Sequence, residues 1–84
     1  MSYNYNDFRN DVFKEENQQM FLSIKDKALE LINIAGCARM QEIIRGQTGD
    51  SWVMLACVDR LVEMGFLKEV GYDHLAGQYR IFTK

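Results

Sequence analysis

Helices first and a β-hairpin last: the sequence predicts an α+β fold, and three features carry that expectation. Apolar residues recur at three- and four-residue spacing from Phe21 to Ala35 and again from Trp52 to Met64. Glycines bracket Gln47 and Thr48 in the run GQTG, a tight turn of the length that joins two closely packed helices. At Gly65 the helical period stops, and FLKEVGY takes up the alternation of a strand.

The elements follow in order. Residues 1–6, MSYNYN, hold no aliphatic side chain and are expected to fray. In DFRNDVFKEENQQ, Phe8 and Val12 stand one turn apart with Phe13 beside them, which makes a weak amphipathic helix. The run MFLSIKDKALELINIAG is a stronger one: Phe21, Ile24, Ala28, Leu31, Ile32 and Ala35 share a face, and Lys25, Asp26, Lys27, Glu30 and Asn33 fall mostly opposite. Gly36 stops it, as a residue free to take positive φ at a helix end. A short helix is expected in ARMQEIIR, with Met40, Ile43 and Ile44 inward.

After GQTG, Asp50 or Ser51 can cap the next helix, which runs through WVMLACVDRLVEM. Beyond Gly65, FLKEVGY is the first strand of a hairpin, Asp73 to Gly77 its loop and QYRIFTK the return, with Tyr79 and Ile81 on one face and Gln78, Arg80 and Phe82 on the other. A lone two-stranded hairpin is marginal, so this one is expected to lie on the helices. Residues 1–19 then form an N-terminal extension, partly helical or frayed, and residues 20–84 the folded domain.

Eighty-four residues leave room for one domain with a modest core, which a dimer or partner often supports. At 48% hydrophobic and 26% charged residues the chain belongs among globular proteins, not disordered ones. It has no apolar run of membrane-spanning length, and MSYNYNDFRND lacks the character of a signal peptide, so no membrane partner and a cytoplasmic location are expected. Cys37 and Cys57 have neither disulfide-framework nor zinc spacing and are expected to be small packing residues. No metal site is indicated.

Net charge is -2, and the acidic excess lies early: residues 1–36 carry four basic and six acidic side chains, residues 37–84 six of each. Such a chain lacks the overall positive bias from which non-specific nucleic-acid affinity arises.

Ile43 and Ile44 before the GQTG turn, the segment VDRLVEMGFL and the ending GQYRIFT resemble the winged helix-turn-helix domains of small prokaryotic transcriptional regulators. The resemblance covers residues 20–84 and implies a three-helix core plus a C-terminal β-hairpin wing, with residues 1–19 outside it. It also implies double-stranded DNA as a partner and a role in transcriptional regulation, the helix from Ser51 entering the major groove. Candidate DNA contacts on that reading are Arg39, Arg45, Gln47, Thr48, Ser51, Trp52, Arg60, His74 and Arg80, with Lys68 and Lys84 also along the wing. If four cations met phosphates, log affinity would fall with log salt at a slope of about -3.6. Tight binding would then require a dimer.

The helix itself argues for another use of the same fold. With Leu55, Val58, Leu61 and Val62 facing the core, or Met54 in place of Leu55, the outward positions are Ser51, Trp52, Val53, Ala56, Cys57 and Arg60. Base edges are read by Arg, Lys, Asn and Gln, and this set offers one of them. The alternative is a protein-interaction or assembly module, its contact set being Phe8, Val12, Trp52, Val53, Ala56 and Cys57, engaged by a second copy or a different protein. The chain's own N-terminal segment could equally cover that face, or Trp52 and Val53 could touch thymine methyls. His74 could donate to a phosphate when protonated, and Tyr72 and Tyr79 could pair across the hairpin.

No catalytic residues, and so no enzyme, are expected. The single histidine has only Asp73 beside it, and no phosphate loop, nucleophile elbow or ligand cluster is present. No cofactor is implied.

Overall fold

A computed structural model of the chain describes residues 3–70 and 79–84. The fold is α+β, mostly helical, with one small antiparallel sheet. Its elements are α1 (Tyr5–Val12), a 3₁₀ turn (Glu15–Asn17), α2 (Gln18–Ala35), β1 (Cys37–Arg39), α3 (Met40–Ile44), α4 (Ser51–Glu63), β2 (Lys68–Val70) and β3 (Ile81–Thr83). No described helix is long and apolar enough to cross a membrane.

Local chemistry sets the ends of these helices. Asn4 caps α1 by accepting from the Asn6 amide at 3.0 Å, and the side-chain amides of Asn17 and Gln18 donate to the Asp11 and Val12 carbonyls at its far end. Gly36 closes α2 at φ 84°, its amide reaching the Ile32 carbonyl at 2.7 Å. Of the two caps considered for α4, Asp50 serves: its carboxylate accepts from the Trp52 amide at 2.8 Å.

Gly65 ends α4 at φ 86°. Its amide donates to Val62 and the Phe66 amide to Leu61, the paired bonds of a Schellman closure. Residues with a Cβ rarely take that conformation, so the chain leaves the helix there and turns toward β2.

The sheet has one strand more than the expected hairpin. Residues 38 and 39, assigned to a helix from sequence, belong with Cys37 to β1, and α3 begins only at Met40. The reason lies far along the chain: β3 pairs with β1 on one side (Ala38 opposite Phe82) and with β2 on the other (Glu69 opposite Phe82), giving the order β1-β3-β2. The Met40 amide then donates to the Arg80 carbonyl at 2.7 Å, joining α3 to the sheet. Among the described residues β2 covers Lys68–Val70 and β3 Ile81–Thr83, so Phe66, Leu67, Tyr79 and Arg80, read as strand residues, lie outside them. The expected loop Asp73 to Gly77, with Tyr72 and Gln78 at its ends, lies outside the described residues.

One core joins every helix to the sheet. Ile24, Ala28 and Ile32 of α2 pack with Met40 and Ile43 of α3, Met54, Val58 and Leu61 of α4, and Leu67 and Phe82 from the sheet region. Val12 of α1 belongs to the same cluster, so the division at residue 19 does not separate two cores. Cys57 is buried, but Cys37, read with it as a packing residue, is exposed, because β1 is an edge strand that turns only Ala38 inward. Ala35, placed on the inner face of α2 from its spacing, is also exposed.

Candidate functional site

Helix α4 is covered on two opposite sides. Met54, Val58 and Leu61 face α2 and α3, Met54 taking the place considered for Leu55, while Leu55 and Val62 are only partly buried. On the other side Trp52, Ala56, Asp59 and Glu63 recur at i, i+4, i+7 and i+11, a single stripe along the helix. Helix α1 lies on that stripe.

The reading of Val53, Ala56 and Cys57 as outward positions is therefore corrected: all three are buried, at 7%, 0% and 0% exposure. Of the possible covers for this face, the chain's own N-terminal segment provides one. The Phe8 ring meets the Trp52 indole edge-on at 5.3 Å between centroids, and Tyr3 stacks on Phe8 at 6.0 Å. Val12 is buried at the end of the contact, a burial worth about 1.5–3 kcal/mol. Phe13 stays exposed, with the guanidiniums of Arg9 and Arg60 over its ring at 5.2 and 4.9 Å.

Two carboxylates of α4 fasten the helix laid across it. The Tyr3 hydroxyl donates to Asp59 Oδ2 at 2.6 Å, and the Tyr5 hydroxyl to Glu63 Oε1 at 2.9 Å. Arg9 Nε adds a bond to Glu63 Oε1 at 3.0 Å, and Arg60 Nη1 reaches the same oxygen at 2.7 Å. Hydrogen bonds from Arg60, Tyr5 and Arg9 hold the Glu63 carboxyl below its ordinary range. Burial, then the bond to Glu63, pushes the Tyr5 phenol up to about 12, and burial with the Asp59 bond raises Tyr3 further. Exposed ion pairs such as Arg9–Glu63 are screened by water and add little to stability. The cover is thus held by one fully buried aliphatic, a few aromatic contacts and a polar rim.

A second network ties α4 to the sheet. Arg80 Nη2 bonds Asp59 Oδ1 at 2.6 Å and Glu69 Oε1 at 2.8 Å, and its guanidinium lies 5.2 Å from the Phe82 ring centre. Bonds donated to Glu69 and Asp59 raise the already high Arg80 pKa against the effect of burial, so the side chain is a fixed cation between two anions.

The positions singled out for DNA contact fare unevenly. Arg60 and Arg80 are both engaged with carboxylates of the chain itself. Arg45 is exposed beside Gly46 and Gln47 but shares a shallow recess with Asp26, Lys27 and Glu30. Gln47 donates to Ser23 Oγ at 2.8 Å, holding the α3–α4 turn against α2. Arg39, Thr48 and Ser51 are exposed, Trp52 is partly buried under Phe8, and His74 lies outside the described residues. Lys68 and Lys84 are exposed on the sheet side.

Asp59, Glu63, Tyr3, Tyr5 and Arg9 were not among the candidates. A signal existed for two of them: Asp59 and Glu63 sit at i and i+4 on the stripe that begins with Trp52, placing two negative charges on the face a groove-reading helix would present to phosphates. Tyr3, Tyr5 and Arg9 lie more than fifty residues in the chain from the carboxylates they bond and had no such signal. No family model matches this chain, and no curated protein or solved structure matches it either.

Proposed function

We propose that this chain is a winged-helix module that works through protein contact rather than by reading base edges. The order of helix, strand, helix, turn, helix and hairpin strands supports the winged-helix resemblance. The face of α4 carries the functional half of the reading. Its outer stripe of Trp52, Ala56, Asp59 and Glu63 is apolar and acidic, and it already holds a helix. Carboxylates there repel phosphates, and no side chain on the stripe offers the paired donor and acceptor that a base edge requires.

A second reading, duplex DNA binding in transcriptional control, is favoured by Arg39 and Arg45. They flank α3, are exposed and make no ion pair among the described residues. A fluorescence-anisotropy titration with mixed-sequence duplex DNA at low ionic strength separates the two. The protein-contact reading expects no saturable binding, and no change with Arg39→Ala or Arg45→Ala. Binding that weakens with salt at a slope near -3.6, as about four phosphate contacts would give, and that falls with either substitution would overturn it.

A further inference from the structure

We infer that the outer stripe of α4 is a docking site for an amphipathic helix of another protein, one presenting an aromatic ring and a cation on the same face, and that α1 occupies this site in cis. The inference rests on the protein-contact reading and names the partner's chemistry.

The bound helix defines that chemistry. Tyr5, Phe8, Arg9 and Val12 recur at i, i+3, i+4 and i+7, so α1 presents hydroxyl, ring, guanidinium and aliphatic group along one face. Three of them meet a counterpart on the stripe, Tyr5 and Arg9 at Glu63 and Phe8 at Trp52, and Val12 is buried in the core. Ala56, with only a methyl between Trp52 and Asp59, is fully buried there, so a helix backbone can approach closely. Two carboxylates and an indole on an otherwise apolar strip select a helix with donors at its rim and a ring at its centre.

On the α1 side of the contact only Val12 is a fully buried side chain. The remaining grip is a set of part-exposed hydroxyl and guanidinium bonds to Asp59 and Glu63. An eight-residue helix has little stability of its own in water, so once released it does not persist as a competitor of fixed shape. A partner helix reaches the stripe only in the open fraction of molecules, and its apparent affinity is reduced by that fraction. Helix α1 therefore sets a threshold for the partner.

The test uses the full chain with a synthetic peptide of residues 3–17 as the probe, followed by the emission of Trp52, the single tryptophan. In the doubly substituted protein Tyr5→Phe/Arg9→Ala, the stripe is intact and the clasp on Glu63 is gone. The peptide should bind this variant with an apparent dissociation constant roughly tenfold below that for the unsubstituted chain. A peptide carrying Phe8→Ala should bind neither. Protein with Glu63→Lys should reject the natural peptide and accept one carrying Arg9→Glu, a rescue that a merely structural role for Glu63 does not produce.

Equal binding to the two proteins would overturn the proposal. So would absence of binding to a Tyr5→Phe/Arg9→Ala protein whose circular dichroism and cooperative unfolding match the unsubstituted chain. Self-association of that variant in place of peptide binding would overturn the assignment to a foreign helix and give the site to a second copy. None of these outcomes depends on DNA, so this inference and the choice between protein and DNA fail separately.

Discussion

Arg80 and Asp59 meet at 2.6 Å between Nη2 and Oδ1, with both side chains largely withdrawn from water at 16% and 13% exposure. Each also has another partner: Glu69 for Arg80, and the Tyr3 hydroxyl for Asp59. One pair thus joins the hairpin, the long C-terminal helix and the N-terminal arm. Charge-assisted bonds of this kind contribute about 1.5–3 kcal/mol. Urea denaturation of Arg80→Ala and Asp59→Ala should each show a loss in that range, and the double substitution should cost less than their sum. Strict additivity would mean that the two groups do not act together.

The clasp on Glu63 should respond to pH at both ends. Glu63 has a folded pKa below its ordinary value, so its contribution is present above about pH 4.3 and is lost as pH falls through the lower folded value. Tyr5 has a folded pKa raised to about 12, so its contribution is complete below about pH 10 and is lost as pH rises from there toward 12. The stability difference between the unsubstituted chain and Glu63→Gln should be constant near neutrality and shrink in acid. That between the chain and Tyr5→Phe should shrink in alkali. Denaturation midpoints measured across pH would contradict this if either difference stayed flat.

Replacing Gly65 by alanine should destabilise the fold by about 1–2 kcal/mol, since the residue holds φ 86° and a left-handed alanine costs about that much. An added Cβ would meet no atom within 4 Å there, so the cost is conformational rather than steric. Gly65→Asn, which tolerates that region better, should recover part of the loss in thermal unfolding. An alanine variant as stable as the parent would remove the backbone argument.

Phe82, fully buried at the centre of the sheet, should cost about 3–5 kcal/mol on truncation to alanine. Leu22, half exposed at 51% on the outer face of α2, should cost less than about 0.5 kcal/mol. Chemical denaturation of the two variants gives the comparison, and a small loss at Phe82 would place the core elsewhere.

What could be read from sequence was what neighbouring residues decide among themselves. The periods of α2 and α4, the Asp50 cap and the stops at Gly36 and Gly65 all depend on residues a few positions apart, and each is present. Strand β1 was not legible, because Cys-Ala-Arg has no strand pattern of its own and becomes a strand only by pairing with β3 more than forty residues later. The site divides in the same way. That α4 is apolar nearly all round announced a second covered face, but not which side chains cover it. The bonds from Tyr3 and Tyr5 to Asp59 and Glu63 span 56 and 58 residues, and no local pattern encodes a contact at that distance. Cys37 was misplaced for a related reason, since its exposure follows from the edge position of β1.

The middle strand of the sheet comes after both of its neighbours in the chain. While a ribosome is making the protein, the helices can collapse on one another, yet neither β1 nor β2 has anything to pair with until β3 emerges. The hollow that Phe82 fills stays open for that interval, and so do the backbone groups of two short strands. Completion of this fold is therefore a late, non-local event, and the nascent chain is most exposed to chaperones and to aggregation just before it.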